Sequence, residues 1–446
     1  MNFQKYIKVL AAAAAVAMVS CSDSEPQNPG ANVPEPPKPG DGSIGEVVIK
    51  PKAMWIDVEA NFNRLSTKAG IDAELEKIKR YGMNMIYLDV KAANGYALYK
   101  SDILPYCDTF GSYTADRDYD DFLGYFLEKC EELEIDVVAS MVTLGFGYHS
   151  RGVEQGLVYD HWDKWGDMVQ VRSDNNDPDK VVKINEDDTQ PIILLSPCHK
   201  EVRDFVVSIA SELVAKYPKL KGISLDYCRY NNNDGGWYGM GDADLEDYAR
   251  YWNEEKPLRT EIVTATGGVG PKFAKWIEYR SMTISDLISK IRSAVKAVNP
   301  DCEIHMWASA HWESRFAVGQ NWASTRYKPT GYAYTDTYSK TGLAHLLDVF
   351  ITGAYAETVW EKDTETIWSV ENFVKTWNNY IKGDCKCYGS IAAYALGADK
   401  IADATYLCLK HTDGYMNFEL SHVNAGNKWI ATLDGIRRYE KKKDYQ

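Results

Sequence analysis

Basic side chains are in deficit. Against 64 Asp and Glu stand 50 Lys and Arg, a formal net charge of −14. Such a chain has no excess of cations to cluster on a phosphate backbone, so no nucleic-acid partner is expected. Beyond residue 20, no apolar run is long enough to cross a bilayer as a helix. Histidine is sparse, and His149, His161, His199 and His311 show no H-E-x-x-H spacing. No G-x-G-x-x-G follows the first strand-like run and no G-x-x-x-x-G-K-[ST] occurs, so nucleotide binding is not expected and no cofactor is assigned. A Ser-His-Asp hydrolase lacks its G-x-S-x-G turn. The pair Cys385-Lys386-Cys387 has one intervening residue and no neighbouring His, short of a zinc site, so no metal is expected.

What is present begins with an address. Lys5 and Lys8 precede a short apolar run at 9–19, which ends Met18-Val19-Ser20-Cys21 and resembles a bacterial lipobox. Residues 1–20 are therefore expected to be a signal peptide, removed before Cys21, whose thiol takes the lipid. Residues 21–49 hold Pro26, Pro29, Pro34, Pro36, Pro37 and Pro39 with several glycines, too many breakers for a helix or a packed strand. This stretch reads as a spacer, and 50–446 as the folded domain. The expected setting is the cell envelope, with the protein a lipid-anchored monomer on the periplasmic or surface face of the outer membrane. Beyond Cys21, the cysteines sit mostly in apolar periodic segments, where buried free thiols are expected.

From residue 50 the pattern alternates. Strand-like runs lie at 53–58, 85–90, 137–142, 222–226, 303–307, 348–352, 387–394 and 415–420, and helical periodicity is clearest at 71–81, 119–133, 199–217 and 273–298. Eight β-then-α units predict an α/β fold, a (β/α)8 TIM barrel, rather than an open doubly wound sheet. The excess over a typical barrel of about 250 residues lies at 92–118, 143–197, 231–272 and 308–340. All four segments follow strands, so they are expected on the face where barrel enzymes keep their sites.

Polar residues at strand ends are the first functional candidates in such a barrel. Strand one offers Asp57 and Glu59; strand two, Asp89 and Lys91; strand four, Asp226 followed by Arg229 and Tyr230. Trp307 belongs to strand five, with His311 and Glu313 beyond it; Tyr355 and Glu357 follow strand six, and Glu419 ends strand eight. Glycoside hydrolysis needs two carboxyl groups, one protonating the leaving oxygen and the other attacking carbon or activating water. A mouth ringed with carboxylates suits that chemistry. Acids at strand ends also form structural ion pairs, and Asp89 with Lys91, two apart on one strand face, is expected to be such a pair. Tyr, Trp and Phe number 30, 13 and 12, enough to line a sugar cleft by stacking. Trp162, Trp165, Trp237, Tyr238, Trp312 and Trp322 on the insertions are candidates for that role.

Several segments together carry a resemblance. The run Val90-Lys91-Ala92-Ala93-Asn94-Gly95-Tyr96-Ala97-Leu98-Tyr99, with Ser101 and Pro105, resembles the second-strand motif of bacterial family-10-like glycosyl hydrolases, barrel proteins distantly related to the α-amylase group. Ser196-Pro197 with Glu201-Val202-Arg203-Asp204, the run from Gly222 to Tyr230, and Gly342-Leu343 with 348–355 resemble later motifs of the same family. The likeness runs thinly over about residues 50–435. Departures are Tyr227 for the second Asp of the strand-four motif, Lys91 for Arg, Thr352-Gly353 for Pro-Gln, and Trp307-Ala308-Ser309-Ala310 for a Ser-Pro-Phe-Gly run. The resemblance implies that Asp226 is the strand-four acid at the nucleophile position. An amylase-like plan favours Glu313 as proton donor, with Glu357 next. The expected substrate contacts are Asp89, Lys91, Arg229, Tyr230, Trp307, His311, Tyr355 and Glu419. The function expected is hydrolysis of O-glycosidic bonds in an extracytoplasmic poly- or oligosaccharide; the alternative is a glycan-binding lipoprotein that kept the barrel without the chemistry.

Overall fold

The computed structural model describes residues 49–443, apart from 111–112, 151–152, 175–176 and 234–235. The signal segment, Cys21 and nearly all of the spacer lie outside the described residues.

Eight parallel strands close into a barrel: β1 (Lys52–Ile56), β2 (Met85–Lys91), β3 (Asp136–Val142), β4 (Gly222–Asp226), β5 (Glu303–Ser309), β6 (Val349–Gly353), β7 (Lys386–Ala392) and β8 (Gly414–Phe418). Each strand pairs with its neighbours in sequence, and β1 closes on β8 through Lys52 opposite Tyr415 and Met54 opposite Asn417. The strands read as nearly continuous apolar runs because both faces are covered. One face points into the lumen, where Ala53, Trp55, Met85, Tyr87, Val138, Val349, Ile351, Tyr388 and Met416 form a core of their own. Trp55 stacks on Tyr87 with ring centroids 5.3 Å apart. Below them, the Tyr87 hydroxyl meets His305 Nδ1 at 2.8 Å and His305 Nε2 meets Glu303 at 2.9 Å, which satisfies a fully buried imidazole.

The other face packs against helices α1 (Lys68–Arg80), α2 (Phe122–Glu132), α3 (Lys200–Lys216), α4 (Phe273–Val298), α5 (Val370–Thr376), α6 (Ala398–His411) and α7 (Trp429–Lys443). In α1 the logic is local. Thr67 caps the start by accepting from Gly70 N at 3.2 Å, Ile71, Leu75 and Ile78 form the buried stripe, and Lys77, Lys79 and Arg80 sit at the negative end of the dipole. Burying each of those aliphatic side chains contributes roughly 1.5–3 kcal/mol.

The fifth unit departs from the expected alternation. Between β5 and β6 the chain makes 3-10 turns at Trp312–Val318, Tyr338–Thr341 and Ala344–Leu346, with no α-helix. Gly319, Pro329 and Gly331 interrupt this stretch, and it carries no apolar stripe of helical period. The long α4 packs against these turns instead.

The four insertions all leave the strand C-termini. The one after β3 carries an antiparallel sheet of Ile192–Leu194, Gly145–Ser150 and Val153–Gln155, and the one after β4 carries a helix at Asp242–Trp252. Most aromatic residues singled out on the insertions pin the loops down: Trp165, Tyr238, Trp312 and Trp322 are buried, while Trp237 stacks on Phe316 and Trp162 remains exposed. Seven of the eight described cysteines are buried, Cys385 is half-buried, and all eight are free thiols. Among the described residues, no helix is long and apolar enough to cross a membrane.

Candidate active site

The strand C-termini bring an acidic group together at the barrel mouth. Asp57, the residue after β1, caps the one-turn helix Val58–Asn61: its Oδ1 accepts from Glu59 N at 2.9 Å and Ala60 N at 3.3 Å. That turn directs Glu59 toward the end of β2, where Glu59 Oε1 accepts from Ala93 N at 3.2 Å. Asp89 lies on β2 paired with Ser140 of β3, and its Oδ1 has no hydrogen-bond partner among the described residues. Asp226 ends β4, and its Oδ1 accepts from Tyr227 N at 2.8 Å. Glu419 follows β8, fully buried, and accepts from Asn61 Nδ2 at 2.8 Å and His422 N at 3.1 Å.

These groups feel one another. Burial, then the charges of Asp57 and Asp226, hold Asp89 well above the usual carboxylate range. Glu59 is pushed up to about 8, by burial first and by Asp57 next, with Asp226 adding to it. Asp57 is raised to about 6 by burial and by Glu419. Asp226 is also raised to about 6 by burial, against the Tyr227 N–H and the Arg229 guanidinium, which favour its charged form. At neutral pH the mouth therefore holds Glu59 largely protonated and Asp57 and Asp226 largely ionised, while burial favours the neutral form of Asp89. Carboxyl groups whose environments separate them in this way are suited to acid and base roles.

Aromatic side chains cluster at the ends of β5 to β8. Tyr355 lies 5.2 Å from Trp307, 5.8 Å from Phe418 and 6.4 Å from Tyr394 between ring centroids. Tyr394 in turn meets the His422 ring at 5.2 Å. The departure at Thr352-Gly353 has a physical reason here: a Cβ on Gly353 would come within 2.6 Å of the Trp307 indole, so the glycine makes room for it. Tyr227, the other departure, holds a left-handed backbone at φ 47°, which costs a bulky residue about 1–2 kcal/mol. Its ring lies beneath Arg229, 4.6 Å from the guanidinium carbon.

The residues singled out from sequence thus divide. Asp89, Asp226, Arg229, Trp307 and Tyr355 gather at the mouth, with Glu419 buried behind Asp57. Lys91 does not pair with Asp89. A bulge between Asp89 and Lys91 in the pairing with β3 breaks the two-residue alternation. Lys91 is instead fully buried 3.9 Å from the Phe146 ring centre, donating to the Val142 carbonyl at 2.6 Å and to that of Gly145. Burial lowers its pKa well below the ordinary lysine value. Tyr230 is fully buried too, its ring 4.6 Å from the guanidinium of Arg280 on α4. Glu313 and His311 sit together on the β5 loop. Glu313, with half its side chain exposed, lies 3.5 Å from His311 Nε2 and accepts from the Tyr380 hydroxyl. Glu357 is exposed on the β6 loop.

Asp57 and Glu59 were visible as acids after strand one, yet nothing in their spacing marked Glu59 as the carboxyl with the greater tendency to keep its proton. Phe418 and Tyr394 sit on strand ends as well, and position at the mouth was their only signal. Among the described residues, no group of three or more His, Cys, Asp and Glu is placed to hold a metal ion.

Residues 50–406 match the model of the Glycosyl hydrolase-like 10 family. An S-layer-related protein from Niallia circulans is 26% identical over 426 residues, a match covering 91% of this chain and 25% of that protein, so the chain spans a quarter of that relative's length. Glycosyl hydrolase DigH from Escherichia coli K12 is 22% identical over 346 residues, covering 75% of this chain and 67% of the relative. Among solved structures, α-L-fucosidase isoenzyme 2 from Paenibacillus thiaminolyticus aligns with a TM-score of 0.56 at 12% identity, over 89% of this chain and 50% of that one. The catalytic domain of a Paenibacillus polymyxa β-amylase aligns with a TM-score of 0.51 at 12% identity, over 87% of this chain and 98% of that one. Likeness at those identities concerns the barrel fold.

Proposed function

The chain belongs to the Glycosyl hydrolase-like 10 family, and from that membership and the chemistry of its mouth we propose that it hydrolyses O-glycosidic bonds of an extracytoplasmic poly- or oligosaccharide. The observation that carries this reading is the split among part-buried carboxyl groups: Asp226 is raised to about 6 and Glu59 to about 8, with the charge of Asp226 helping to raise Glu59. In this mechanism Asp226 attacks the anomeric carbon or activates water, and Glu59 protonates the departing oxygen. The low-dielectric mouth that raises both groups also strengthens their interaction with charge developing on the sugar ring. Trp307, Tyr355 and Phe418 offer apolar faces for the sugar to stack on.

The reading extends to the cell. We propose that the enzyme works as a monomer at the cell envelope, tethered by lipid on Cys21, with residues 21–49 as the spacer. The basic start, the short apolar run and the cysteine that ends it support this placement.

The test is a screen of the purified chain against neutral, acidic and amino-sugar oligosaccharide pools, read as new reducing ends. Release from at least one pool, lost in Asp226→Asn, supports the assignment. Binding without cleavage on every pool overturns it in favour of a glycan-binding barrel.

A further inference from the structure

Two arginines on neighbouring loops near Asp226 form no ion pair among the described residues. Arg229 follows β4, and Arg315 lies in the turn Trp312–Val318 after β5. The two loops are bonded along a seam: Tyr230 N donates to the Val318 carbonyl at 3.0 Å, and Gln320 Nε2 to the Cys228 carbonyl at 3.4 Å. Across it, Arg315 is only 9% exposed, and its Nε and Nη2 share one weak acceptor, Ser314 Oγ, at 3.3 and 3.1 Å. Arg229 reaches the Tyr230 carbonyl and Asn231 Oδ1 only at 3.5 Å. Among the described residues neither guanidinium has a carboxylate within ion-pair distance, whereas Arg172 meets Asp187 at 2.7 Å and Arg292 meets Asp348 at 3.1 Å.

Two like charges held together in a part-buried seam are unfavourable until an anion joins them. Burial, and next the charge of Arg229, bring Arg315 down to about 9. The surroundings do not supply that anion. The Arg229 charge acts on Asp226 at a distance, but no ion pair joins the two among the described residues. Glu313, the nearest acid along the chain, is turned to Tyr380 and His311.

We propose that Arg229 and Arg315 form a subsite next to Asp226 that takes a carboxylate or sulfate borne on the glycan. The inference rests on the hydrolase reading for the position of the sugar, and it adds the substrate's charge. A forked guanidinium matches both anions by paired N–H donors, which a lysine cannot reproduce. Glu59, raised to about 8, adds little negative charge against such a sugar near neutrality.

The test separates binding from turnover. Affinities of the Asp226→Asn chain are measured for matched oligosaccharides that are neutral, uronate-bearing or sulfated, with inorganic sulfate alone as a further probe. At least one acidic series should bind about 10-fold or more tightly than the neutral one, the scale of charge-assisted hydrogen bonds, and the preference should shrink with added salt. Uronate and sulfate series tell the two sources of the anion apart. Arg315→Met should bring the acidic-to-neutral ratio close to one. Arg315→Lys, which keeps the charge, should lower the ratio while leaving its salt dependence, and it serves if the Met variant does not fold. A ratio near one in the parent, or a ratio unchanged by both substitutions, overturns the subsite. Inorganic sulfate binding as tightly as the sulfated sugars overturns it as a glycan subsite. If no pool is cleaved but the acidic preference stands, the hydrolase reading fails and the subsite survives.

Discussion

Asp57 and Glu419 come from the first and last strands of the barrel and are joined through one side chain. Asn61 Nδ2 donates to the Asp57 carbonyl and to Glu419 Oε2, both at 2.8 Å. The two carboxyl groups oppose each other electrostatically, since the charge of Glu419 helps to raise Asp57, while the amide between them ties the strand ends where the barrel closes.

Asn61→Ala should therefore destabilise the fold. It leaves one oxygen of a fully buried Glu419 without its donor, a loss of about 1–3 kcal/mol. A chemical denaturation midpoint that falls with unchanged slope is the expected result, and an unchanged midpoint would mean that the amide is replaceable.

Asp226→Asn should reduce turnover by about 10²–10⁴-fold or more with little change in glycan affinity. The amide keeps the shape and one acceptor but neither attacks carbon nor takes a proton. Thermal melting at pH 7.5 should not fall, because the substitution removes a charge that burial disfavours. A large fall in stability would assign Asp226 to structure, and full activity would overturn the mechanism.

The pH profile follows from the two raised carboxyl groups. kcat/KM should climb with pH through about 6 as Asp226 ionises and decline through about 8 as Glu59 loses its proton. Glu59→Gln should erase the alkaline limb and slow ordinary glycosides by about 10²–10⁴-fold, sparing aryl glycosides whose leaving group needs no proton. Glu313→Gln and Glu357→Gln belong in the same series. If the alkaline limb disappears with one of them and persists in Glu59→Gln, the proton donor is that residue.

Glu59 also couples stability to pH. Its folded-state pKa of about 8 lies above its ordinary value of 4.5, so the native state holds a proton that the unfolded chain has released between those values. Its contribution is favourable at low pH and is lost as pH rises through about 8. Glu59→Gln should accordingly raise the melting temperature at pH 8.5, by a gain on the order of 1 kcal/mol, and change it little at pH 4.5. Equal shifts at both pH values would contradict this.

Cys21→Ala should leave an unprocessed or freely soluble protein, read by fractionation and by the mass of the N-terminal segment. Wild-type recovery in membranes with normal processing would count against lipid attachment. A chain starting at residue 46 should fold unaided, because residues 21–45 carry no periodic apolar face to bury.

Much of this molecule was legible in the chain itself. Strand and helix periodicity sufficed for the closed barrel, because runs such as Met85–Lys91 are buried on both faces and admit no other setting, and residue types at strand ends sufficed to place Asp226 at the mouth. The missing fifth helix was legible only in hindsight, from Gly319, Pro329 and Gly331. What tertiary structure decided was which acids share an enclosure and which are left in solvent. Glu59 and Glu313 are both glutamates just beyond a strand. The first is directed by an Asp57-capped turn into a buried group with Asp57 and Asp226, and the second faces His311 and Tyr380 with half its surface in water. Arg229 and Arg315 are brought together only because two loops 86 positions apart bond along a seam. Composition and periodicity report the burial of an element, a property of its own residues. Proton affinity and charge pairing depend on distances between elements, and those exist only once the barrel has closed.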